Sequence, residues 1–142
     1  LIRAVRHREE ASPELRFWPD YAVLRNMLRD GIKLILGTDS GIDLTPISGY
    51  NLTLETMAGL GGMTYAGVIA SATRLAADAL GLADQVGTLV PGKHADLIAF
   101  EGNPLQDLRV LRRIDRVFRD GHLVASDGAA ILPGLPVASA RP

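Results

Sequence analysis

Leu34-Ile35-Leu36-Gly37-Thr38-Asp39-Ser40-Gly41 decides how this chain is read. Ile32 to Leu36 is a short, nearly continuous apolar run with Lys33 at its edge. A strand buried on both faces has that pattern, as in a parallel sheet. Upstream, Tyr21 to Arg29 reads as an amphipathic helix, with Val23, Leu24, Met27 and Leu28 on one stripe. Pro19 stands at its start and Gly31 just past its end. Helix followed by buried strand is half of a repeating βα unit. In barrel and open α/β folds the catalytic groups gather at the C-terminal ends of such strands. Asp39 stands there, where a carboxylate can bind a metal or act as a general base. Aspartate also caps loops through its own backbone, and these residues alone leave both roles open.

Moving outward, Gly37 to Tyr50 is rich in Gly, Pro, Thr, Asp and Ser and reads as loop. Asn51 to Ala58 is a short helix ended by Gly59, Gly61 and Gly62. Thr64 is the N-cap of a longer helix running to about Leu80, with Val68, Ile69, Ala72, Leu75, Ala76, Ala79 and Leu80 on one face and Gly81 closing it. Beyond Gly81 the pattern turns β-like, in Thr88 to Val90, Ala95 to Phe100, Arg116 to Arg119 and His122 to Val124. Pro91-Gly92 reads as a tight turn and Asp120-Gly121 as a hairpin. Pro104 to Arg112 has room for a helical turn or two, and Gly128 to Pro142 reads as a mobile tail.

Composition narrows the classes. The chain has 142 residues, 47% hydrophobic and 22% charged, with a net charge of −1. Disorder needs low hydrophobicity and high net charge. With no cysteine, a disulfide scaffold and any cysteine-ligated metal are excluded. The balance of 15 basic against 16 acidic residues disfavours nucleic acid as a partner. No apolar run is long enough for a membrane span, and Leu1 to Glu10 lacks the apolar core of a signal peptide. The expected location is the cytoplasm. The length is too short for a complete (β/α)8 barrel of roughly 250 residues. The chain opens on Leu1 rather than Met, which points to a longer protein.

Other motifs have simpler readings. Gly87, Gly92 and Lys93 satisfy G-x-x-x-x-G-K, but His94 stands where a phosphate-binding loop needs Ser or Thr, and a strand-like segment follows instead of a helix. Asp39-Ser40-Gly41 matches an aspartic-protease loop, yet helical segments flank it where such enzymes are almost all β. Ser40 has no partner histidine in any familiar triad order. His7, His94 and His122 form no metal-ligand spacing and read as exposed polar residues. Arg109, Arg112, Arg113, Arg116 and Arg119 interleave with Asp107, Asp115 and Asp120, the pattern of a solvated, salt-bridged face. Glu55 faces solvent or pairs with an arginine.

Two segments together are more specific than either alone. Leu34 to Gly41 resembles the eighth strand and loop of the amidohydrolase superfamily. Gly87-Thr88-Leu89-Val90-Pro91-Gly92-Lys93-His94-Ala95-Asp96-Leu97-Ile98 resembles that superfamily's G-x-[IL]-x-P-G-K-x-A-D-[LI] segment. Between them, Gly62-Met63-Thr64, Ala72-Thr73, Ala76 and Leu80-Gly81-Leu82 are similar to its G-M-T…A-T…A…L-G-L helix. Asn103-Pro104-Leu105 and Arg116 to Gly121 resemble its closing strands. The nearest groups are the imidazolonepropionase-like enzymes and metal-dependent dipeptidases. The chain departs from the pattern at Tyr65, where Pro is common, and at Tyr50 and Asn51, near which many relatives carry a His. The H-x-H and later histidine ligands of the family have no counterparts here.

The resemblance implies an α/β fold: the C-terminal βα segment of a TIM-type (β/α)8 barrel followed by part of a small β-sandwich. Residues 1–81 would be barrel elements, 82–127 sandwich and 128–142 a flexible tail. It implies cleavage of a C–N bond, in an amide, a cyclic amide or a dipeptide, by hydroxide on a divalent metal, usually zinc. Asp39 would be both metal ligand and catalytic proton shuttle. One carboxylate cannot hold zinc alone, so this chain by itself is expected to bind no metal tightly and to be inactive. The expected partners are the missing N-terminal barrel portion or further copies of the chain, and a small-molecule amide substrate. The rival reading is a non-catalytic truncated module that serves in association, because an isolated strand exposes its edges.

Overall fold

The structure, a computed structural model, describes residues 21–41 and 47–131. Helix α1 (Tyr21–Arg29) forms as the stripe predicts. Its end closes through two crossed backbone bonds, Gly31 N to Leu28 O at 3.1 Å and Ile32 N to Met27 O at 2.9 Å. That closure needs a left-handed residue, which Gly31 supplies at φ +79°. Helix α2 (Tyr50–Gly59) follows a single 3-10 turn at Ile47–Gly49. The Arg25 guanidinium donates to the Leu60 carbonyl at 2.6 Å and ties α1 to the end of α2.

The long helix expected from Thr64 to about Leu80 is two helices, α3 (Tyr65–Ala72) and α4 (Arg74–Ala79). Thr64 caps α3 as predicted, its hydroxyl accepting from Gly67 N at 3.0 Å. Thr73 interrupts the run at φ −129°, ψ −96°. Its hydroxyl donates back to the Ile69 carbonyl at 2.7 Å, a local bond that competes with the helix ladder. The continuous apolar face is therefore divided: Val68 is fully buried, while Leu80 is 68% exposed.

The segment Ile32–Leu36 corrects the strand expectation. It carries no strand pairing. Leu34 and Leu36 lean on the core, but Ile32 and Ile35 are about half exposed at 47% and 50%. Parallel strands are buried by flanking strands and covering helices, and none pairs here among the described residues. Apolar patterning marks a segment suited to such burial, and the neighbours complete it.

The second part is an antiparallel sheet in the order β1-β2-β3-β4, from β1 (Leu97–Ala99), β2 (Arg116–Arg119), β3 (His122–Ser126) and β4 (Ala129–Ala130). Leu97 faces Phe118, Ile98 faces Val117 and Arg119 faces His122, with a register shift between Val117 and Phe118. Asp120 and Gly121 sit at φ +49° and +78°, the two left-handed positions of a tight hairpin turn. Asp127-Gly128 repeats the device at +50° and +77°. The stretch read as a tail thus begins with strand pairing, and Ile131 N donates to Val124 O at 2.7 Å. Residues 132–142 lie outside the described residues. Thr88 to Val90 forms no strand, and Leu89 is 82% exposed.

Leu54, Met57, Val68 and Leu108 make the buried core, where α2, α3 and a 3-10 turn at Leu108–Arg112 meet. Tyr21, Leu24, Leu36, Tyr50, Ile69 and Leu111 pack around it. An open apolar cleft of about 660 Å³ runs between helical and sheet residues, lined by Tyr50, Leu54 and Ile69 and by Leu97, Val117 and Phe118.

Candidate active site

Asp39 lies at the end of the run 32–39, which has no regular secondary structure, and is exposed, with φ +49°. A positive φ is uncommon outside glycine, although Asp tolerates it better than most residues. Ahead of it the Tyr50 hydroxyl donates to the Leu36 carbonyl at 3.2 Å. That bond joins the start of α2 to the run that carries Asp39. Partial burial pushes the Tyr50 phenol up from its ordinary 10.0. Residues 42–46 and His7 lie outside the described residues.

Among the described residues, no three His, Asp or Glu side chains converge as metal ligands. A catalytic zinc takes about three protein ligands, so the donors described here do not make a complete site. Asp39 supplies one carboxylate at most, and no chemical step through a metal follows from this chain alone.

The remaining candidates have structural roles. Lys93, the lysine of the G-x-x-x-x-G-K pattern, donates to the Ala83 carbonyl at 2.5 Å and the Thr88 hydroxyl at 2.6 Å. It therefore fastens the loop after α4, in agreement with the turn reading of Pro91-Gly92. His94 is exposed as expected, but its Nδ1 lies 2.9 Å from Asp120 Oδ1. That contact holds the imidazole above its ordinary 6.5, chiefly through the hydrogen bond and charge of Asp120, with a smaller contribution from Asp96. Glu55 pairs with Arg112 and Asp107 with Arg109, as a salt-bridged face predicts. Sequence reasoning left the partner of His94 unfound, since Asp120 is 26 residues away. The hairpin signal at Asp120-Gly121 was the one available clue.

The model of the Amidohydrolase family matches residues 5–124 of this sequence. The chain belongs to that family. Among curated amidohydrolase relatives, imidazolonepropionase of Mesorhizobium japonicum is 42% identical over 73 residues, covering 51% of this chain and 18% of its own length. A solved candidate prolidase from Bifidobacterium longum superposes with a TM-score of 0.73 at 32% identity, over 76% of this chain and 26% of that one. A solved Xaa-Pro dipeptidase with bound methionine gives 0.66 at 35%, over 72% and 25%. This amidohydrolase chain thus spans about a fifth to a quarter of the length of the relatives it matches.

Proposed function

We propose that this chain is the C-terminal portion of a metal-dependent amidohydrolase that cleaves a C–N bond in an amide, a cyclic amide or a dipeptide. The family match over residues 5–124 carries the reading. Support for the bond class comes from relatives described as imidazolonepropionase and Xaa-Pro dipeptidase. In this reading residues 1–81 are the last βα elements of a barrel and 82–127 part of a β-sandwich. The half-exposed Ile32 and Ile35 favour a run that pairs with strands from elsewhere in the protein, or with further copies of the chain. The family match gives no support to a stand-alone, non-catalytic module.

A bound divalent metal, zinc in this reading, would supply hydroxide at neutral pH. Asp39 would be one of the residues holding that metal, and its carboxylate would serve as the proton shuttle to the leaving nitrogen. The other ligands come from outside the described residues. A cytoplasmic location is part of this proposal; no helix among the described residues is long and apolar enough to cross a membrane.

The test compares the 142-residue chain with the longer protein that contains it. Metal content and hydrolysis of amide and dipeptide substrates are measured in both. The longer protein is expected to bind metal and turn over substrate, and the chain alone to do neither. Metal-dependent hydrolysis by the chain alone would overturn the fragment reading.

A further inference from the structure

The segment Lys93–Asp96 is a junction between the helical part and the sheet. On one side Lys93 grips the loop after α4, and His94 N donates to Gln85 O at 2.9 Å. On the other side His94, Ala95 and Asp96 hold the tip of the β2–β3 hairpin by three bonds. Asp120 N donates to Asp96 Oδ1 at 2.6 Å, Gly121 N donates to Ala95 O at 3.1 Å, and His94 Nδ1 meets Asp120 Oδ1 at 2.9 Å.

These bonds aim the Asp120 carboxylate at His94. With φ at +49° and its N–H taken by Asp96, the residue has a defined backbone, so its side chain leaves the turn in a set direction. His122 lies beside the same turn, its Nδ1 3.0 Å from the Asp120 carbonyl. The charged groups acting on His94 are Asp120 and Asp96, while His94 and His122 act on Asp120. The Lys93 ammonium is committed to the loop on the far side.

We propose that His94 and Asp120 form a proton-dependent clasp, which tightens the β2–β3 hairpin tip onto the Lys93–Asp96 junction when His94 is protonated and loosens it when His94 is neutral. The two other bonds to the tip are donated by backbone N–H groups, to Asp96 Oδ1 and to the Ala95 carbonyl, so the clasp is the one link of the three that an imidazole makes. A neutral imidazole can still donate one hydrogen bond, so the tip loosens without detaching.

The direction follows from both partners. The shift of His94 is upward, so its contribution is complete below the ordinary 6.5 and fades as pH rises through the raised folded value. The shift of Asp120 is downward, because of His94, so its contribution holds above the ordinary 3.8 and fades as pH falls through the lowered value. The clasp is therefore fully charged in mildly acidic solution and weakens toward alkaline pH. Nothing in it depends on the role of Asp39.

The test is an NMR titration of the full chain, following the His94 ring and the amide protection of Gly121. His94 is expected to titrate above 6.5. Corrected for intrinsic exchange, Gly121 protection should fall about two- to fivefold as His94 deprotonates, the scale of an exposed ion pair. Asp120→Asn keeps a residue that tolerates left-handed backbone, so the turn and its N–H bond survive. In that variant His94 should shift downward and Gly121 protection should lose its pH step. A wild-type His94 that titrates at or below 6.5, a titration unmoved by D120N, or a Gly121 protection flat across it would each overturn the clasp. The first of these needs no variant to fold.

Discussion

Arg112 grips Glu55 through two parallel hydrogen bonds, Nε to Oε1 at 2.7 Å and Nη2 to Oε2 at 2.5 Å, across 57 residues of chain. This fork ties the 3-10 turn at Leu108–Arg112 to α2, the two elements that enclose Leu108. Glu55 is the better covered partner, its side chain 19% exposed against 51% for Arg112. Arg112→Lys keeps the charge but loses the second bond. Both Arg112→Lys and Glu55→Gln should lower the thermal midpoint, and the double variant should lower it by less than the two singles added. Additive losses would show that the fork carries no coupling.

Gly87 is held against α4 in a way no other residue can follow. It sits at φ +89°, and a Cβ there would meet Ala77 Cβ at 2.6 Å and Arg74 Cα at 3.1 Å. Gly87→Ala should therefore destabilise the fold by about 1–3 kcal/mol through overpacking, with backbone strain added. Gly92→Ala is the control, because Gly92 has a similar φ of +92° with nothing within 4 Å. Urea unfolding of both should show the larger loss at Gly87. Equal losses would mean that strain alone, without the close approach, sets the cost.

The cap at Thr64 is a separate, local contribution. Thr64→Ala removes the acceptor for Gly67 N and should cost about 0.5–2 kcal/mol, while Thr64→Ser should cost much less. Thermal melts of the pair distinguish a lost cap from lost methyl packing.

Asp39 is tested in the longer protein. If it shuttles the proton, Asp39→Asn should lower kcat by about 10²–10⁴-fold. Because it is also proposed as a ligand, bound metal measured by elemental analysis should fall as well. Full activity in that variant would remove Asp39 from the mechanism.

Short-range features were legible in the sequence. The α1 stripe and Gly31, the Thr64 cap, the Asp120-Gly121 hairpin and the Pro91-Gly92 turn depend on contacts within a few residues, where backbone sterics and side-chain caps decide the outcome. The helix break at Thr73 was missed because its apolar spacing continues unbroken through the residue. Only the bond from its hydroxyl to Ile69 O and the packing of Gly87 on the far side mark the interruption. For the candidate site, the sequence placed Asp39 at the end of an apolar run, and the added detail is the Tyr50 bond to Leu36, which spans 14 residues.

From the sequence alone come the family pattern, the caps and turns, and the shortfall in length against a full barrel. Each is written in neighbouring residues or in a simple count. Tertiary structure decided that Lys93 fastens a loop, that His94 pairs with Asp120, that Arg112 reaches Glu55, and that Ile32–Leu36 stands without a ladder. These outcomes depend on which distant groups meet. A strand-like run becomes a strand only where neighbouring backbones offer their N–H and C=O groups.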